Sequence, residues 1–438
     1  MSAEHGAPRA AVRVADVGAR GWREQESFRV AALALAGPWR RPEIAGRLVD
    51  LYPDPAAAET MADLLVQHSP TRPFGDPADL ARQIMAFPVA LQESPPERKW
   101  WPRVPQWTST TDLAALLDLT PSEVDWMADA RGWNRHAAGK IRHYKNRWMT
   151  TSTGGLRLIE APKPRLAEAQ RRIARHLIAA LPVHEAAHGF RTGRSAHTYA
   201  QPHAGKAFVV RMDLEGFFAA VTGARVRALL KSAGYPEPVA ARLAGLLTTR
   251  TPKDVLIEAP PSAGDPDVRR RLLNHLAYQH LPQGAPSSPA LANAVAHRLD
   301  ARLAGLARSL GADYTRYADD LAFSGPQTLP LHRLLPGVRR IAADEGFRVR
   351  PDKTRIAAAH QRQRLTGLVV NATPTVSRAE FDALKALLHN CARTGPEAQN
   401  RNGHHDFQAH VRGRIEWVAA GHPGRGAKLR FLYERVSW

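Results

Sequence analysis

Cysteine is nearly absent: the 438-residue sequence contains one, Cys391. A lone thiol excludes an internal disulfide framework and a cysteine-based zinc module, and its plain reading is a small buried or inert side chain. No apolar run approaches 18 residues, and the start, Met1-Ser2-Ala3-Glu4-His5-Gly6, lacks the basic-then-apolar pattern of a signal peptide. A soluble, cytoplasmic protein without a membrane partner is therefore expected. Internal repeats and long low-complexity tracts are missing too, which excludes a solenoid. Acidic residues are in deficit, 41 Asp and Glu against 61 Lys and Arg, a net charge of +20. That balance suits a polyanionic partner, because neutralising phosphates releases counterions. GC-rich coding, which favours arginine and alanine, would produce the same balance.

The 44% of hydrophobic residues is enough for real cores, and the length allows two or three domains. Residues 1 to about 98 read as helical pieces, such as Val30-Ala31-Ala32-Leu33-Ala34-Leu35 and Met61-Ala62-Asp63-Leu64-Leu65, between proline breaks and without a chemical motif. Arg98-Lys99-Trp100-Trp101-Pro102-Arg103-Val104-Pro105 reads as a linker, since two prolines interrupt any helix and the charges favour solvent. Two short helices follow. The second has Thr120 as cap, Pro121 in the first turn and Glu123 three residues on, and the pair serves either packing or nucleic-acid contact.

Beyond Thr150 strands and helices mix. Phe208 to Asp213 alternates, with Phe208, Val210 and Met212 on one face and Val209, Arg211 and Asp213 on the other, so a strand delivers Asp213 at its end. Arg165 to Leu181 is a basic amphipathic helix. Tyr314 to Tyr317 and Leu321 to Ser324 are strand-like runs flanking Ala318-Asp319-Asp320, which places two carboxylates at a hairpin tip. Adjacent carboxylates repel and raise each other's pKa, so a cation belongs there. With Asp213 they would make an all-oxygen site suited to magnesium. Asp-Asp is also an ordinary solvated turn, and the tetrapeptide alone leaves both readings open.

The surrounding residues discriminate. Tyr317-Ala318-Asp319-Asp320-Leu321-Ala322-Phe323-Ser324-Gly325 closely resembles the signature hairpin of reverse transcriptases, in the form found in bacterial retron enzymes. Met212-Asp213-Leu214-Glu215-Gly216-Phe217-Phe218 is similar to the family's first carboxylate motif, and Leu281-Pro282-Gln283-Gly284-Ala285-Pro286-Ser287-Ser288-Pro289 to the motif lining the template and incoming nucleotide. The resemblance runs in family order from about residue 107 to the end.

Within that resemblance each residue acquires a role. Asp213, Asp319 and Asp320 hold two magnesium ions for nucleotidyl transfer. Phe218 packs on the sugar of the incoming nucleotide and rejects a 2′-hydroxyl, unless it is a core phenylalanine. Gln283 offers a donor and an acceptor near the nascent pair, and Gly284 lets backbone approach a ligand. Thr153-Gly154-Gly155-Leu156-Arg157-Leu158-Ile159-Glu160-Ala161-Pro162 resembles the fingers hairpin, where Arg157 grips the triphosphate unless it is a plain surface arginine. In Gly346-Phe347-Arg348-Val349-Arg350-Pro351-Asp352-Lys353-Thr354, Lys353 serves the leaving pyrophosphate. Leu365-Thr366-Gly367-Leu368-Val369-Val370-Asn371 resembles the hairpin at the primer end, through Thr366 and Gly367.

Thr198-Tyr199-Ala200-Gln201-Pro202-His203 stands where retron enzymes carry Asn-Ala-x-x-His, with Tyr199 in place of the asparagine; His203 is either structural or an RNA contact. Leu365 similarly replaces the usual valine. His404, His405 and His410 lack a completing metal ligand, and with Arg412, Arg414, Arg425, Lys428 and Arg430 they fit a basic thumb lying along a duplex. The expected architecture is α+β: a helical N-terminal extension of unknown role (1–104), a helical lead-in (105–148), fingers and palm with an antiparallel sheet (149–372), and a helical thumb (373–438). The resemblance implies a cognate structured noncoding RNA as template and primer, deoxynucleoside triphosphates, a branched RNA-DNA product, and antiphage defence with a separate effector protein. A group II intron enzyme, another defence-associated reverse transcriptase and a catalytically idle RNA-binding protein are the rivals.

Overall fold

The computed structural model describes residues 24–49, 51–52, 55–73, 75–85, 99–137, 139–151, 154–261 and 264–438. Met1 to Gly6, Arg98 and Thr153 lie outside the described residues. The chain divides into two compact units, Met1–Lys99 and Trp100–Trp438. In the first, helices α1 (Glu24–Leu35), α2 (Arg41–Leu48), α3 (Pro55–His68) and α4 (Pro77–Met85) surround a core of their own that includes Val30, Ile44, Leu48, Met61, Leu65, Leu80 and Ile84.

The boundary falls five residues before the expected one, and Trp100 to Pro105 is not a solvated linker. Trp100 meets Tyr235 edge-on at 5.0 Å, the Trp101 N–H donates to Ala233 O at 3.1 Å, Val104 is buried, and the Tyr235 hydroxyl donates to Pro105 O at 2.7 Å. The prolines do break helix, but the apolar area of two tryptophans outweighs the preference of the flanking charges for water. Next come α5 (Thr110–Leu117) and α6 (Pro121–Met127). Thr120 Oγ1 accepts from the Glu123 N–H at 3.2 Å while Glu123 accepts from the Thr120 N–H at 2.9 Å, and Ser109 and Asp112 form a second such box on α5. Leu113, Leu117, Val124 and Met127 join the large core, so the inner face of this helix pair serves packing.

The fingers hairpin starts earlier than 149. Strand β1 (Tyr144–Thr150) pairs antiparallel with β2 (Leu156–Pro162), Met149 opposite Arg157. Its sequence hides it, because Lys145, Arg147 and Met149 all point outward and the strand lacks a clean apolar face. Helix α7 (Pro164–His176) follows, burying Leu166 and Ile173 as its spacing requires.

The palm is a four-stranded antiparallel sheet of order β4-β5-β3-β6, made of β3 (Phe208–Asp213), β4 (Asp313–Tyr317), β5 (Asp320–Gly325) and β6 (Arg355–Ala358). Both faces of β3 are covered. Val210 and Met212 enter the large core, whereas Val209 packs with Ala322, Leu365, Leu368 and the helices α8 (Arg378–Thr394), α9 (Phe407–Gly421) and α10 (Pro423–Tyr433). Burial on both faces pins the register, since a one-residue slip would exchange the two sets. The short hairpin of β7 (Arg364–Leu365) and β8 (Leu368–Val369) belongs to this second core, and its turn residues Thr366 and Gly367 both have positive φ, +42° and +87°.

Candidate active site

Register brings the three carboxylates together. Asp213 is the last residue of β3 and lies opposite Asp320, the first of β5; Asp320 also pairs with Tyr317, so Ala318 and Asp319 form the turn. The Leu214 N–H donates to Asp319 O at 2.9 Å, tying the turn to β3. Ala318 holds a left-handed φ of +56°, a conformation a non-glycine residue keeps only when its surroundings impose it.

Those surroundings are visible. Arg316, fully buried, makes paired 2.7 Å bonds to Asp300 and further 3.0 Å bonds to Asn293 Oδ1 and Ala318 O. Asn293 in turn donates to Gly189 O at 2.8 Å, and Gly189 lies so close that a Cβ there would sit 2.7 Å from Ala318 N. This buried network supports the turn from below.

Burial pushes all three carboxyls above their ordinary range. Asp319 adds to the effect at Asp213, and Asp320 adds to it at Asp319. Two protein cations answer. Lys353 Nζ donates to both oxygens of Asp213 at 3.1 and 3.2 Å, and Arg211 grips Asp320 with three bonds of 2.7 to 2.9 Å. Lys353 and Arg157 are close enough for their charges to be felt at Asp319. Among the described residues no three Asp, Glu, His or Cys side chains stand grouped as they lie to hold one ion. The donor set still suits a hard divalent cation: three carboxylates, all destabilised in the charged form, at one end of the sheet.

The other expected residues sort into two groups. Phe218 is half-buried, with ring centroids 5.6 Å from Phe217 and 6.1 Å from Phe190, whose ring is also 6.5 Å from Tyr317. Gln283 is half-buried, and its carbonyl accepts from the Glu160 N–H at 2.8 Å, joining this loop to β2. Gly284 has φ +129°, and a Cβ there would come within 3.2 Å of Glu160 O and Ile159, so the protein itself already favours glycine at this position. His203 is a correction. It is fully buried, its Nδ1 2.7 Å from Ser324 Oγ and its Nε2 2.7 Å from Thr315 Oγ1, and burial lowers its pKa to about 4. Both ring nitrogens are used inside the palm, so it offers nothing to RNA.

Arg211 lies on the Asp213 face of β3, and period-two alternation already placed it there. The Arg316–Asp300 pair had no sequence signal, since its members come from a strand and the preceding helix. The same holds for Glu160, which pairs with His280 at 2.7 Å with both side chains 1% exposed, and which accepts from Thr251 Oγ1 at 2.8 Å.

Residues 144–372 match the family model of the reverse transcriptase, the RNA-dependent DNA polymerase. The chain therefore belongs to the reverse transcriptases and is an RNA-directed DNA polymerase. It is 40% identical over 328 residues to the retron Mx65 reverse transcriptase of Myxococcus xanthus, covering 74% of this chain and 71% of that one. To the retron Mx162 reverse transcriptase of the same organism it is 40% identical over 306 residues, covering 66% and 60%. To the retron Ec86 reverse transcriptase of Escherichia coli it is 29% identical over 237 residues, covering 54% and 65%. Within its family it is a bacterial retron-type enzyme. None of the described helices is long and apolar enough to cross a membrane.

Proposed function

We propose that this reverse transcriptase extends a primer within a cognate structured noncoding RNA, copying part of that RNA into DNA and leaving a branched RNA-DNA hybrid, in the cytoplasm and in the service of antiphage defence with a separate effector. The observation that carries the catalytic part is the convergence of Asp213, Asp319 and Asp320 at one end of the palm sheet, each destabilised as an anion. Two magnesium ions held there would activate the primer hydroxyl and stabilise the departing pyrophosphate.

The chain's own residues do the rest. Arg157, on the exposed face of β2, holds the triphosphate by charge-assisted hydrogen bonds. Phe218 sets the floor under the sugar and excludes a 2′-hydroxyl. Gln283 orients the nascent pair from a loop tied to β2. Lys353, resting on Asp213, supplies positive charge or a proton to the leaving group. Thr366 and Gly367 steady the primer end, and the basic helices α8 to α10 follow the duplex through its phosphates.

The test is to purify the protein from its native operon, extract the bound nucleic acid and treat it with RNase and DNase. One discrete RNA joined to a short DNA, absent when Asp319 and Asp320 are both replaced by alanine, is the expected result. RNA without DNA from the unmodified protein would refute the catalytic reading and leave an RNA-binding protein.

A further inference from the structure

Away from the carboxylates, the end of α6, the loop after it and the segment around residues 245–250 enclose a recess of about 320 Å³, lined among others by Arg131, Asn134, His143, Thr248, Arg250 and Gln279. That volume lies at the small end of ligand-holding pockets, which run from about 300 to 1,000 Å³. The segments bordering the recess carry four of the most exposed large apolar side chains: Trp133 at 64%, Trp126 at 49%, Ile141 at 56% and Tyr278 at 67%. Leaving such side chains in water is unfavourable without a partner, and aromatic faces interleaved with cations are what unpaired bases stack on.

The charge around the recess selects the partner. The Arg131 guanidinium lies over the Trp133 ring at 5.3 Å, already arranged as the edge of a stack. Arg131, Arg250 and the exposed Lys140 have no ion-pair partner among the described residues, and the acidic side chain of the lining, Asp129, accepts from the Asn134 N–H at 2.9 Å. His143 is buried with Nε2 donating to Trp126 O at 2.8 Å, and burial lowers its pKa, which disfavours a charged ring in the wall. Amides, hydroxyls, an imidazole and the single carboxylate of Asp129 in the lining, outnumbered by Arg131, Arg250 and the nearby Lys140, match the edge of a nucleobase and the phosphates beside it.

We propose that this recess and the surface beside it form a second nucleic-acid site, taking an unpaired base of a single RNA strand, with the exposed Trp133, between the lining residues Gly132 and Asn134, as the stacking platform and Arg131 and Arg250 on the flanking phosphates. It rests on the reading that the enzyme works on RNA, and it shares no residue with the carboxylate site. It would hold a single-stranded segment of the bound RNA while synthesis proceeds elsewhere.

Because Trp133 and Arg131 are exposed, replacing them leaves the core intact. The full chain carrying Trp133→Ala and Arg131→Ala should bind a labelled single-stranded RNA oligonucleotide roughly tenfold more weakly than the parent, with a shallower salt dependence, while Trp133→Phe keeps most of the affinity. Extension of a pre-annealed primer by the double variant should be unchanged, which separates this site from the polymerase reading. RNA affinity within twofold of the parent would overturn the proposal and leave the recess to a protein partner. Failure of the parent itself to bind single-stranded RNA would overturn it as well, while DNA synthesis by the parent would still stand.

Discussion

Glu160 and His280 form a buried pair whose proton content is dictated by geometry. His280 Nδ1 lies 2.8 Å from Tyr278 O and Nε2 lies 2.7 Å from Glu160 Oε2, and both facing atoms accept. An imidazole flanked by two acceptors must carry both protons, or else the carboxyl must carry one; the pair keeps one proton more than a neutral ring with an ionised acid beside it. Burial alone pushes His280 down, but the charge and hydrogen bond of Glu160 more than offset it, so its pKa ends above the ordinary value. A raised pKa stabilises the fold fully below the unfolded value, about 6.5 for histidine, and that stabilisation fades as pH climbs through the folded value.

Glu160→Gln removes the charge and keeps every contact. The amide nitrogen donates to a neutral His280 and its oxygen accepts from Thr251. We expect it to cost less than about 1.5 kcal/mol and to flatten the loss of stability toward alkaline pH. His280→Ala instead strands a carboxylate at 1% exposure with one hydroxyl, a change of the kind that costs roughly 3 to 5 kcal/mol, on the order of 10 °C in melting temperature. Far-UV circular dichroism melts of the full chain from about pH 6 to about pH 8.5 at fixed ionic strength measure both. If the glutamine variant melts as low as the alanine variant, or keeps the parent's pH profile, the shared-proton argument is wrong.

Three further outcomes follow from the site. Gly189→Ala places a Cβ 2.7 Å from Ala318 N, and since backbone cannot yield cheaply the Ala318–Asp319 turn should shift; kcat is expected to fall about 100-fold and the melting temperature to drop with it, and normal turnover would remove Gly189 from the support of the turn. Phe218→Ala should lower discrimination against ribonucleotides roughly tenfold or more in single-nucleotide incorporation, while unchanged selectivity would make Phe218 a packing residue. His203→Ala should cost about 1 to 3 kcal/mol in chemical denaturation by orphaning Ser324 and leaving Thr315 only its bond to Tyr199 O, and should leave RNA affinity as it was; weakened RNA binding with full stability would make His203 an RNA contact.

The sequence by itself determined the elements that local rules govern. Period-two alternation over Phe208 to Asp213, the capping box at Thr120 and the Asp319-Asp320 turn between two apolar runs are short-range patterns, and they placed the carboxylates on strand ends before any tertiary contact was considered. Motif order added the reverse transcriptase class. Strand β1 escaped because its exposed basic face carries no apolar period, and Trp100 to Pro105 was misread because charge and proline count locally while tryptophan burial is decided by a distant Tyr235. Only tertiary structure decided what surrounds the carboxylates. Arg211 and Lys353 as their resting counter-ions, the Arg316–Asp300–Asn293 support under Ala318, the Glu160–His280 pair and the burial of His203 all join residues far apart in sequence or on different elements. An ion pair or a buried hydrogen bond depends on distance and desolvation, and neither exists until the sheet and helices have closed around it.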